Sequence, residues 1–166
     1  AQRALVLGIG GGVIASQYAY FHPDVRVDGV EIDPAVIRVA RDYFGLSPAT
    51  AAYDQDGRVF AARAKDKYDV IVVDAYTQQI YVPFHMATRE FFGQVRGCLD
   101  DGGLVAMNVS AARDDAPLLT HIGSCCPGLV GFRCESCGVP RDSEVSTVWV
   151  RCIVSRSCGE ALGLEA

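Results

Sequence analysis

Short apolar runs alternate with segments whose apolar positions recur at helical spacing, and this alternation continues from Ala4 to Val109. The runs Ala4–Gly8, Val25–Glu31, Ala49–Asp54, Tyr68–Asp74 and Gly103–Val109 read as buried strands. The intervening segments Gly12–Phe21, Pro34–Phe44, Gly57–Ala64 and Ala87–Cys98 read as helices, with a further one over Ala116–Cys125. Asp33 suits a helix N-cap and Pro34 the first helical turn, so Glu31 falls at the carboxyl end of a strand. Beyond these segments the pattern changes. Gly128–Cys134 and Glu144–Val154 read as two strands joined by a polar turn with no helix between them, which predicts an antiparallel hairpin at the C-terminal end of a mostly parallel sheet. No repeat, low-complexity stretch or linker interrupts the chain, so residues 1–166 are expected to form a single domain.

Strands alternating with helices imply right-handed crossovers and an α/β, Rossmann-like sheet covered on both faces. Ligands of such sheets bind beyond the carboxyl ends of the strands. Gly8–Gly12, Glu31, Asp54–Gly57 and Asp74 follow four successive predicted strands and are expected to converge on that rim. Glycines there permit a tight strand-to-helix turn and let a ligand approach the backbone closely. Glu31 follows the glycines by about twenty residues, the spacing at which a carboxylate reaches ribose hydroxyls. The expected ligand is a nucleoside. A nicotinamide dinucleotide fits less well, because Val13 stands where G-x-G-x-x-G requires its third glycine. An open sheet closed by an antiparallel strand is instead the pattern of class I methyltransferase-like folds, in which S-adenosylmethionine lies on the glycine loop.

Composition narrows the classes further. Half of the residues are hydrophobic and the formal net charge is −5, so no basic surface for nucleic acid is expected. No apolar run approaches the roughly 20 residues of a membrane helix, and the expectation is a cytoplasmic protein acting on small molecules. Seven cysteines, an odd number without a secretory signal, argue against a disulfide framework. Cys134 and Cys137 have metal-type spacing but no second pair follows, so no metal is expected. His22 and His121 have no partner at metal spacing and read as structural.

The segments "VLGIGGG", "GVEIDPAVIRVARDYFGL", "DQDGRVF", "KYDVIVVDAY" and "FHMATREFFGQVRGCLDDGGLVAMNV" resemble, in order, the spermidine synthase family and its spermidine-synthase-like relatives. The resemblance runs from about Leu5 to Val109. It implies that Gly8, Gly10, Gly11 and Gly12 lie under the methionine part of an adenosyl sulfonium ligand, that Glu31 binds ribose, and that Asp56 and Gly57 read the adenine amino group. The family's catalytic carboxylate corresponds to Asp74. The implied co-substrate is S-adenosylmethionine or its decarboxylated form, and the implied partner is a small amine acceptor. The implied setting is polyamine biosynthesis, and a homodimer is compatible with it.

Two departures bear on the chemistry. The family typically places an acid directly after its glycine triplet, where this chain has Val13, and a second acid three residues after the catalytic one, where it has Thr77. The family's N-terminal strand domain is also absent from this sequence. A polyamine nitrogen has a pKa near 10.4, so neutralising it at pH 7 costs roughly 4–5 kcal/mol, which a positioned carboxylate helps to offset. Asp74 would therefore act on the acceptor and not on the sulfonium, whose charge is lost in the transition state. The loop after Asp74 is expected to form a lid, with Tyr76, Thr77, Gln78, Tyr81 and His85 as candidates for lid or acceptor contacts. Alkyl transfer, aminopropyl first and methyl second, is the expected activity, and a nucleoside-binding or dimerisation domain without turnover is the third reading.

Overall fold

In the computed structural model, residues 2–76, 81–111, 117–125, 134–136 and 146–152 are described. Five strands run parallel: β1 (Arg3–Leu7), β2 (Arg26–Glu31), β3 (Ala51–Asp54), β4 (Tyr68–Val73) and β5 (Leu99–Ala111). Helices α1 (Val13–Phe21), α2 (Pro34–Tyr43), α3 (Gly57–Arg63), α4 (Arg89–Cys98) and α5 (Pro117–Cys125) lie between or after them. With β6 (Cys134–Ser136) and β7 (Ser146–Cys152) the sheet has the order β3-β2-β1-β4-β5-β7-β6. Strand β7 pairs antiparallel with both β5 and β6. Residues 128–133 and 137–145, which hold most of the expected first hairpin strand and the expected turn, lie outside the described residues.

Alternation along β1 divides the interior into two clusters. Leu5 and Leu7 join the larger, with Ile71, Val73, Phe91, Phe92, Val95 and Met107 beneath α3 and α4. Ala4 and Val6 face the smaller, with Val72, Ala15 of α1 and Ala40 of α2. Period-2 burial on strands and one buried stripe per helix are what the apolar pattern requires.

Helix starts follow local chemistry. Asp33 Oδ1 accepts from Ala35 N–H at 2.8 Å, Asp56 Oδ1 from Val59 N–H at 2.9 Å, and Thr88 Oγ1 from Phe91 N–H at 3.2 Å. Such caps satisfy N–H groups that a helix leaves unpaired. The expected helix from Ala87 begins instead at Arg89, after a 3-10 turn over Phe84–Met86. The strand order reverses at β1, between β2 and β4, and that switch point is where a crevice opens.

At the opposite end, Arg3 ties three strands together. Its guanidinium donates to Asp28 Oδ2 at 2.7 Å and pairs with Asp66, its N–H donates to Asp69 Oδ2 at 2.7 Å, and Tyr68 O–H donates to the same Asp28 oxygen at 2.9 Å. Asp28 is 2% exposed, so its charge depends on these partners.

Candidate functional site

The glycine turn leaves β1 with Gly8, Gly10 and Gly12 all at positive φ. Gly8 is constrained twice: φ is 90°, and a Cβ there would come within 2.4 Å of the Asp74 carbonyl oxygen. Gly8 and Ile9 N–H both donate to the Val30 carbonyl, at 2.8 and 3.0 Å, which binds the turn to β2. A Cβ on Gly10 would meet nothing within 4 Å, so the space above this residue is open to a ligand. Gly11 and Gly12 have other neighbours. Gly11 lies against the Phe44 ring, and a Cβ on Gly12 would reach Leu46 at 2.9 Å.

Four strand ends contribute to a cleft of about 280 Å³, close to the lower bound of roughly 300 Å³ for small-molecule sites. Gly8 and Gly10 come from the end of β1, Glu31 and Ile32 from β2, Asp56 and Gly57 from β3, and Asp74 and Tyr76 from β4. Gln55, Pro83, His85 and Met86 complete the wall. A wider depression of about 480 Å³ lies along β3, lined by Pro34, Ile37, Arg38, Tyr53 and Asp54. It is an open groove at the sheet edge that takes neither the glycine turn nor Asp74. Asp54 thus faces away from the cleft on which the sequence places it.

Each cleft acid has a defined neighbour. Glu31 Oε2 accepts from Gly10 N–H at 3.1 Å and Oε1 from Asp33 N–H at 3.3 Å, which leaves one lone pair on each oxygen for further donors. Asp56 caps α3 with Oδ1, and its Oδ2 lies 3.3 Å from His85 Nε2. Asp74 N–H donates to the Leu7 carbonyl at 2.8 Å, and Asp74 Oδ1 accepts from Asn108 Nδ2 at 2.9 Å. Glu31, Asp56 and Asp74 line the cleft without any lysine or arginine among its described residues. This wall favours a cation.

Of the sequence-expected residues, Gly8, Gly10, Glu31, Asp56, Gly57, Asp74, Tyr76 and His85 line one cleft. Gly11 and Gly12 do not: they shape the turn and fit it against Phe44 and Leu46. Tyr81 is 60% exposed and stands outside the wall. Thr77 and Gln78 lie outside the described residues. Val13 also faces elsewhere, into a shallow apolar depression with Tyr20, Phe21 and Phe44. Among the described residues no group of three His, Cys, Asp or Glu side chains could hold a metal ion, and Cys137 lies outside them. No helix among those residues is long and apolar enough to cross a membrane. His121 Nε2 lies 2.9 Å from the Ala87 carbonyl, a structural contact away from the cleft.

Asn108, Ile32, Pro83 and Met86 escape the sequence reading, whereas Gln55 lies in the Asp54–Gly57 segment that it places on the rim. The partner of Asn108 shows only in the register of the sheet. Val73 pairs with Met107 in parallel register, so the residues one step further on stand side by side.

Sheet order, glycine turn and acid-lined switch-point crevice define a Rossmann-like, class I methyltransferase-type fold. Comparison with known proteins agrees. A solved structure of human methyltransferase-like protein 13 in complex with SAH superposes with a TM-score of 0.70 at 21% identity, covering 90% of this chain and 71% of that one. A probable spermidine synthase from Corynebacterium glutamicum superposes with a TM-score of 0.74 at 22% identity, covering 92% of this chain and 56% of that one. A probable polyamine aminopropyl transferase of Bifidobacterium longum is 41% identical over 114 residues, which are 69% of this chain and 25% of the relative. This chain thus spans only about a quarter of that relative's length. The spermine/spermidine synthase domain model matches residues 1–122, and the chain belongs to that family.

Proposed function

We propose that this chain carries the nucleoside-binding and transfer site of an aminopropyltransferase, with decarboxylated S-adenosylmethionine as donor and a small aliphatic amine as acceptor. The observation that carries the reading is the meeting of Gly10, Glu31, Asp56 and Asp74 from four successive strand ends in one cleft. The residues fit such a donor. Gly10 leaves backbone-level space, Glu31 keeps acceptor capacity for two ribose hydroxyls, and Ile32, Pro83 and Met86 offer apolar surface to a purine. Asp56 Oδ2 faces the cleft beside His85, placed to accept from an exocyclic amine.

Asp74 takes a proton from the acceptor ammonium and holds the freed nitrogen by its remaining N–H. The nitrogen lone pair then forms a bond to the propyl carbon attached to sulfur. The C–S bond breaks, its electron pair returns to sulfur, methylthioadenosine leaves as a neutral thioether, the new secondary amine carries the positive charge, and Asp74 releases its proton to solvent. The acidic wall also concentrates a cationic acceptor. Family resemblance together with 41% identity to a named aminopropyl transferase supports this chemistry over other uses of the fold.

Methyl transfer from intact S-adenosylmethionine is the second reading. It is favoured by the lack of any acidic residue in the first turn of α1, which leaves that helix end free of repulsion toward a carboxylate. Calorimetry decides between them. The first reading expects methylthioadenosine to bind and decarboxylated S-adenosylmethionine to outcompete the intact form. Preference for the intact form favours methyl transfer, and binding of NAD alone removes both. Asp74→Asn is expected to lower turnover roughly 100- to 10,000-fold, to a residual rate that can still be measured, with nucleoside affinity retained.

A further inference from the structure

We infer that Asn108 is a positioning residue for this transfer: its side-chain amide holds one oxygen of Asp74 so that the other faces the acceptor. The inference rests on the reading of Asp74 as the acceptor-facing carboxylate. Its basis is independent of that reading. Asn108 Nδ2 donates to Asp74 Oδ1 at 2.9 Å, and no described residue donates to Asp74 Oδ2. Asn108 is absent from the cleft wall while Asp74 is part of it, so the amide acts through the carboxylate.

The residue type is otherwise out of place. Asparagine is depleted in strands, and Asn108 shares its face of β5 with Leu104 and Ala106, where the alternation calls for a third apolar side chain. Its Oδ1 is buried with no hydrogen-bond partner among the described residues. An amide kept in such a place with one end unpaired among the described residues breaks the local rules, and the one side-chain bond it makes to a described residue is to Asp74. That bond also fixes the amide orientation. Turned over, Oδ1 would oppose a carboxylate oxygen at the same separation.

The Asp74 backbone is already immobile, through its N–H bond to Leu7 and its carbonyl packed on Gly8. Rotation about the two side-chain bonds is the remaining freedom, and the bond from Asn108 restricts it. Locking a reacting group in one orientation acts on kcat more than on binding.

A double-mutant cycle tests this, with decarboxylated S-adenosylmethionine and an amine panel as substrates. Asn108→Leu is expected to lower kcat 10- to 100-fold while KM for the nucleoside and its calorimetric affinity stay within twofold. Asn108→Gln, which keeps an amide donor, should recover at least part of the loss. In an Asp74→Asn background, Asn108→Leu should add less than a twofold further effect, because its influence passes through Asp74. Asn108→Ala serves in the same cycle if the leucine variant does not give a cooperative melt. A kcat within twofold of wild type in the donor-free variants, or losses that multiply across the cycle, would overturn the inference and leave the role of Asp74 standing. Absence of turnover by the wild-type protein with every amine would overturn the role of Asp74, and this inference with it.

Discussion

Gly8 and Asp74 touch through their backbones: the Asp74 carbonyl oxygen would lie 2.4 Å from any Cβ placed on Gly8. The glycine therefore answers to a neighbouring strand as well as to its own left-handed φ of 90°. Gly8→Ala is expected to cost roughly 2–4 kcal/mol, combining left-handed strain with overpacking against backbone that cannot yield. Denaturant unfolding measures it. Gly93→Ala, in α4 where a Cβ meets nothing, is the control and should stabilise by about 0.5–1 kcal/mol. Equal effects at the two positions would contradict the packing described.

Glu31 carries a second prediction. Its two oxygens already hold Gly10 and Asp33 N–H and have capacity left for ribose. Glu31→Gln replaces a charged acceptor pair by a single neutral one and should weaken methylthioadenosine binding about 10- to 100-fold, the worth of one or two charge-assisted bonds. Calorimetry reads it directly. An unchanged affinity would place the sugar elsewhere.

The base of the sheet predicts a stability effect remote from the cleft. Arg3→Met removes a cation that faces Asp28 at 2.7 Å and Asp66 at 2.8 Å, leaving Asp28 charged in the interior with Tyr68 as its remaining partner. The expected loss is about 3 kcal/mol. Replacing Arg3, Asp28 and Tyr68 together by Met, Leu and Phe should recover most of it, since the buried charge leaves with its partners. Chemical denaturation of both variants is the check, and nucleoside binding should not change.

Alkaline pH tests the same cluster. Burial, and after it the hydrogen bond to Asp28, pushes the Tyr68 phenol well above its usual range, and burial pushes Tyr18 in the same direction. The sign follows from proton counting. Above about pH 10 the unfolded chain releases phenolic protons that the folded chain retains, so unfolding is favoured as pH rises. Stability should fall steeply above that point, beyond a shallower loss that the burial-raised Cys98 thiol begins near pH 9. Tyr68→Phe should reduce the slope. A slope identical in wild type and variant would remove Tyr68 as its source.

The parallel core of the fold was legible because its signals are local. Alternating periodicity gave β1 to β5, and Asp33 followed by Pro34 marked the start of α2, where Asp33 indeed caps Ala35. Strand β5 was read too short. "LDDGG" has turn composition and Gly102 does take φ 78°, yet Leu99 pairs with Tyr68 across a register shift. Most of the cleft was readable for a similar reason, since residues at carboxyl strand ends of a parallel sheet must share a rim. Gly11, Gly12 and Val13 were not separable from Gly10 in sequence. Only the path of the turn sends one toward the cleft and the others toward Phe44, Leu46 and Tyr20. Asp56 combines helix capping with an approach to His85, and neither partner is visible from "DQDG". Asn108 gains meaning only from its register with Asp74.

The contact between Leu7, Gly8 and Asp74 has a consequence for how such a site diversifies. Turn and carboxylate spring from adjacent strands, so their separation is fixed by a sheet whose neighbours stand about 4.8 Å apart. In the transfer proposed above, the gap between donor and acceptor is therefore set by paired strands of the central sheet. Substitutions in the cleft wall at Ile32, Pro83 or Met86 would alter the shape offered to a ligand while leaving that spacing as the scaffold sets it.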